Sequence, residues 1–260
     1  MKAKFTLVTI MIGIIALGMF QFPSSAMKSE IVVAIWLFDK ADGKVVEDLS
    51  ENGHDGEIQG NVKGAKGKND NALEFPGKGD SYVLIPHDDN FNLTTFSITA
   101  WINLKDTGAY HGLVEKVEGD TRNFYMAIYP NDKVFYGGFR ANNAWNNALT
   151  KTDVLDEKWH HLAVTYDQKY IRGYVNGVLE DEKALSLKPE LNNGPVTIGV
   201  TGTGGSEPTL GIIDEVGIFN DALTESEVKS IMKNGLKVAV MAVSGPSEKY
   251  TVTWGNIKIR

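Results

Sequence analysis

Along most of the chain, apolar residues recur at every second position, in short runs broken by Gly, Asn, Asp and Pro. That period is the signature of strands with one buried face. It predicts strands at Val32–Phe38, Ala72–Phe75, Tyr82–Ile85, Phe96–Leu104, Gly112–Val117, Phe124–Tyr129 and Val134–Phe139, then at His160–Tyr166, Ile171–Val175, Val196–Val200 and Ile212–Phe219. His160–Tyr166 and Ile171–Val175 flank a short polar turn, and Asn176-Gly177 follows, so a β-hairpin leads into a second tight turn. Phe96, Ile98, Ala100 and Ile102 share one face of their strand, and Phe124, Met126 and Ile128 share one face of theirs. The pattern predicts an all-β fold, a two-sheet antiparallel sandwich. One short helix is expected near the end. Thr224 and Glu227 form a capping box before Val228, Ile231 and Met232, and Gly235 is a stop.

The ends of the chain break this pattern. Lys2 and Lys4 precede an apolar run from Phe5 to Phe20, and Ser24-Ser25-Ala26 supplies small residues. Residues 1–26 read as a signal peptide, which implies a secreted or periplasmic protein with no membrane span after cleavage. An uncleaved anchor helix is the open alternative, although the run is shorter than the roughly 20 residues of a span. Residues 27–235 then form one domain, and 236–260 a C-terminal extension with strand-like alternation at Tyr250–Trp254. The chain has no Cys, so its stability owes nothing to disulfides. Its net charge of −7 argues against nucleic acid as a partner, because phosphate binding wants a basic patch.

An ordered set of segments carries a resemblance. They are Trp36-Leu37-Phe38-Asp39, Asp48 to Gly56, Phe96 to Ile102, Trp159 to Asp167, Tyr174 to Gly177, Ile198-Gly199, and Gly211 to Phe219 followed by Leu223 to Val228. In this order the chain resembles the laminin-G-like, concanavalin A-like jelly-roll domains of the secreted bacterial branch related to pentraxins. The resemblance implies a jelly roll and a binding role. It also implies a structural calcium, with Asp214 in the last strand and Asp39 after the first as carboxylates, and with Asn52 and Gly53 offering turn carbonyls. The alternative is that Asp39 and Asp214 are caps, solvated or hydrogen-bonded.

The sandwich class includes glucanases that use two carboxylates on one strand. Neither Glu-x-Asp-x-x-Glu nor Glu-x-Asp-x-Glu occurs here, so the expectation is a module that is not an enzyme. His160 and His161 face opposite sides of a strand and read as packing residues. The ligand surface is expected mid-chain, where Tyr110, Arg122, Tyr125, Tyr136, Arg140, Asn143 and Trp145 gather aromatic faces and planar donors. Tyr125, Tyr136, Arg140, Asn143 and Trp145 are the candidate ligand-binding residues, suited to a sugar. Trp145 as a packing plug in an ordinary loop is the alternative. The expected partner is a glycan, or an extracellular protein if the domain serves adhesion.

Overall fold

The structure, a computed structural model, describes residues 29–40 and 43–241. The expected leader and most of the C-terminal extension lie outside the described residues. Among these, sixteen strands form two antiparallel sheets. The first contains β1 (Val32–Trp36), β4 (Lys63–Lys66), β5 (Asn71–Pro76), β7 (Phe96–Leu104), β12 (His160–Tyr166), β13 (Tyr170–Val175), β14 (Val178–Ala184) and β16 (Leu210–Phe219). The second contains β2 (Val45–Val46), β3 (Gly56–Ile58), β6 (Val83–Ile85), β8 (His111–Glu118), β9 (Thr121–Tyr129), β10 (Val134–Ala141), β11 (Ala144–Asp153) and β15 (Val196–Ile198). Two helices follow, α1 (Glu225–Asn234) and α2 (Leu236–Met241), where one was expected.

The first sheet runs β14-β13-β12-β7-β16-β5-β4, with β1 also on β16; the second runs β11-β10-β9-β8-β15-β6-β3-β2. Their facing sides make the core. Phe96, Phe124, Phe139 and Tyr166 meet at its centre, with Phe139 and Tyr166 centroids 4.6 Å apart. Leu162, Val164 and Tyr166 of β12 lie in that core, and the alternate residue Ala163 packs on the other side with Tyr174, Val228, Ile231 and Leu236. The helices therefore cover part of the outer face of the first sheet, which leaves Ser97 and Thr99 fully buried. The capping box of Thr224 and Glu227 forms as expected.

The additional strands are mostly short or at edges, where alternation is weak. One of them explains how an open edge is closed. Three N–H groups of β11 are taken by carboxylates of β14, from the opposite sheet. Leu149 N donates to Asp181 Oδ2 at 2.8 Å, and Lys151 N and Thr152 N donate to Glu180 Oε2 at 2.7 and 3.0 Å. Side chains thus occupy an edge that would otherwise template another strand.

Replacing Glu180 and Asp181 together by Ala is expected to speed amide exchange at Leu149, Lys151 and Thr152 by about tenfold or more, with central strands unaffected. Unchanged exchange at these three amides, read by NMR, contradicts the edge-capping role.

Candidate functional site: the outer face of the second sheet

The pleat that sends Phe135 and Phe139 of β10 into the core sends Tyr136, Gly138 and Arg140 outward. On β9, Phe124, Met126 and Ile128 are core and Tyr125 faces out. Register places Tyr125 opposite Gly138, and Arg140 opposite Trp145 of β11. Gly138 is required there: a Cβ would lie 2.0 Å from the Asn146 carbonyl oxygen. With no side chain at Gly138, the Tyr125 ring reaches across to Trp145, 5.2 Å between centroids at 87°.

The rings continue as a row. Tyr125 and Tyr136 are 5.5 Å apart, Tyr136 and Tyr110 are 6.3 Å apart, and Tyr110 and Tyr129 are 5.5 Å apart. Edge-to-face geometry, favoured by the ring quadrupole, holds throughout. Trp145 is 53% exposed and Tyr110 36%, whereas Tyr125 between them is 1% exposed. Two guanidinium groups lie over the indole, Arg122 at 4.8 Å and Arg140 at 5.4 Å from its centroid. The Tyr125 hydroxyl and Arg140 Nε are buried without a partner. Burial pushes the Tyr125 and Tyr136 phenols well above their ordinary range.

Four of the five candidate ligand residues, Tyr125, Tyr136, Arg140 and Trp145, therefore share one face. No side-chain hydrogen bond among the described residues joins Asn143 to them. Asn142 and Asn143, at φ 54° and 60°, form the two-residue turn from β10 to β11, and Asn143 N points to Glu190 Oε1 at 3.5 Å. Residues 141–147, which read in sequence as an exposed loop or edge, are the last residue of β10, the turn and the first part of the edge strand β11.

Glu115, Thr201 and Glu207 complete the site without having been singled out by alternation. Glu115 of β8 pairs with Tyr125, and its carboxyl is buried. Thr201 Oγ lies 2.7 Å from both Glu115 Oε1 and Glu207 Oε2. One hydroxyl proton serves one carboxylate, so the second contact requires a carboxylic acid. Glu115 is the buried member, and burial pushes it up to about 8, against the opposing pull of Thr201 and of Arg122 Nε at 3.5 Å. A carboxylate in the apolar run Gly112–Val117 was the sequence signal for it.

The expected calcium ligands are placed differently. Asp214 sits where β16 changes partner from β5 to β1 and its pairing with β7 shifts register. Its Oδ2 accepts from Lys68 N at 2.9 Å and Asn69 N at 3.1 Å, and its Oδ1 from Glu215 N at 2.8 Å. Glu215, at φ 46°, accepts from Leu236 N. Asn52 donates to the carbonyls of Val32 and Val33 at the start of β1, and Gly53, at φ 79°, shares that turn. Asp39 follows the far end of β1, where its carbonyl accepts from Asn71 Nδ2. Asp39, Asn52, Gly53 and Asp214 are thus spread along β1 and do not fit one ion. Among the described residues no three carboxylate or imidazole groups are placed to hold a metal. The histidines are packing residues in geometry: His160 bonds Asp156 and Asn176, and His161 lies against Trp101.

Residues 77–229 match the family model Laminin_G_3, the Concanavalin A-like lectin/glucanases superfamily, and the chain belongs to that family. It is similar to Paraclostridial mosquitocidal protein 1 of Paraclostridium bifermentans, at 21% identity over 210 residues, covering 73% of this chain and 16% of that protein. The solved binding domain of that protein superposes with TM-score 0.67 at 18% identity, over 79% of this chain and 52% of the other. The chain therefore spans about half of that binding domain and a small part of the whole relative. Domain 4 of AbnA, an extracellular arabinanase of Geobacillus stearothermophilus solved with arabinotriose, superposes with TM-score 0.62 at 20% identity, over 78% of this chain and 98% of that domain. At these identities the structural likeness shows the fold.

The geometry leads to three predictions. Asp214→Ala strands three backbone donors and is expected to cost about 2–4 kcal/mol of stability. Calcium is expected to leave the melting temperature of the parent chain unchanged after chelator treatment; a calcium-dependent rise that Asp214→Ala abolishes contradicts this. Glu115 is held neutral in the fold, so its contribution is full below pH 4.5 and is lost as pH rises towards 8. Glu115→Gln is therefore expected to gain melting temperature relative to the parent between pH 5 and pH 8. Parallel melting profiles across that range would count against a raised Glu115.

Proposed function

We propose that this chain is a secreted, non-catalytic carbohydrate-recognition module whose ligand lies on the outer face of β8 to β11. The observation that carries this reading is the exposed indole of Trp145, joined to a row of tyrosines and bordered by two guanidinium groups. Sugar rings stack their C–H faces on such aromatic surfaces, and fixed planar donors select hydroxyl positions. Rigid strands supply both, so little ordering cost falls on binding. The family and the arabinotriose-bound relative support the same reading.

The carboxyl groups support binding over hydrolysis. Glu115 and Glu207 are bridged by Thr201, and Glu115 is only 2% exposed. A general acid must reach the leaving oxygen, and an enclosed carboxyl does not. Secretion is supported by the basic, apolar and small-residue sections of residues 1–26. No helix among the described residues is long and apolar enough to cross a membrane.

A glycan array probed with the parent chain and with Trp145→Ala tests the proposal. The parent is expected to bind a restricted set of oligosaccharides without releasing products. The variant is expected to lose at least about tenfold in affinity, corresponding to 1.4 kcal/mol, while its melting temperature stays within about 4 °C. Array binding undiminished in Trp145→Ala would refute this location.

A further inference from the structure

The charges around Trp145 narrow the ligand, given the glycan reading above. We propose that this end of the face takes a sugar that carries a carboxylate, as uronic and sialic acids do, with Arg122 and Arg140 as its ionic partners.

Both guanidinium groups converge on one exposed indole, at 4.8 and 5.4 Å. Two like charges brought together repel, and on a chain of net charge −7 there is no shortage of carboxylates to separate them. Yet only Arg122 has a carboxyl within 4.0 Å. A terminal nitrogen of Arg140 donates to the backbone carbonyl of Asp120 at 2.8 Å, a neutral acceptor, and its Nε is buried with none. Arg122 Nε faces Glu115 Oε2 at 3.5 Å, a long contact to a buried carboxyl that shares the hydroxyl of Thr201 with Glu207. Among the described residues no other carboxylate comes within 4.0 Å of either guanidinium.

The nearby acids are turned to other tasks. Glu118 Oε2 accepts from Asn193 N at 2.9 Å, and Glu190 Oε1 faces Asn143 N. Two guanidinium groups thus stand beside an aromatic platform, Arg140 without a carboxylate within 4.0 Å, and a planar carboxylate is the anion best matched to a guanidinium. A neutral sugar on Trp145 would use the ring and leave the charge of Arg140 unanswered. A carboxylated sugar uses the ring face and the charges together.

Calorimetric titration of the full chain tests this with matched pairs. Tetragalacturonic acid is set against neutral galactotetraose, and 3′-sialyllactose against lactose. At least one acidic member is expected to bind about tenfold or more tighter than its neutral partner, and the responding pair identifies the class of acid. That ratio is expected to shrink from about 50 to about 500 mM salt. It is expected to collapse in Arg122→Gln and Arg140→Gln and to recover in part in Arg122→Lys and Arg140→Lys, each first shown to be folded by its melting curve.

Equal affinity for acidic and neutral members, with both weakened by Trp145→Ala, overturns the carboxylate inference and leaves the glycan reading standing. Survival of the ratio in both glutamine variants overturns it as well, as does equal binding of a sulfated tetrasaccharide. Absence of binding by all four oligosaccharides overturns the carboxylate inference, while the glycan reading stands or falls on the array.

Discussion

The strict alternation of β9 and β10 is the constraint on which this molecule depends. Phe124, Met126, Ile128, Phe135 and Phe139 hold the second sheet against the first, and burial of their large side chains is the dominant favourable term. The pleat that commits them inward leaves Tyr125, Tyr136 and Arg140 no choice but the outer face. The recognition surface is thus the reverse side of the core. A one-residue slip of register would exchange the two sets, burying Arg140 and exposing Phe139, so the energy of the core also guards the geometry of the surface.

Polar groups work as stitching where the sheets are discontinuous. Asp214 and Glu215 occupy the fork at which β16 leaves β5 for β1, and their carboxylates gather the turn at Lys68 and the start of α2. Asp48 does the same for the first long connection, accepting from Ile35 N, Ser50 N and His54 N. Glu180 and Asp181 close the edge at β11. In a chain without cysteine, buried carboxylates that accept several backbone N–H groups supply the cross-links. Burial pushes Asp214 up to about 7 in spite of its three donors, which shows how costly such a charge is even when well partnered.

Much of this was legible in the sequence, for reasons that can be traced to particular residues. β7 and β12 were readable to the residue because each has an uninterrupted apolar face, and α1 because its capping box is written in side chains. β14, Val178–Ala184, escaped because an edge strand buries little and so carries Glu, Asp, Glu and Lys where alternation is sought. β11 escaped because the two Asn residues that make its turn resemble loop composition, although Asn at φ > 0 is also a hairpin signal. On the site, the shared face of Tyr136 and Arg140 follows from spacing alone. The meeting of Tyr125 with Trp145 does not, because it needs the register of three strands and the gap at Gly138. The resemblance implied a metal ligand at Asp214, whereas its service to the amides of Lys68 and Asn69, some 145 residues away in sequence, is written in no local pattern.

The most direct test of the central claim, that the outer face of β8 to β11 is the contact surface, is to watch the indole N–H signals of all five tryptophans by NMR during titration with a pool of neutral and uronate-bearing oligosaccharides. A saturable shift of the Trp145 signal is expected, with Trp36 and Trp101, both enclosed, staying in place. A ligand that moves Trp36 or Trp101 and leaves Trp145 unmoved at saturation would contradict it.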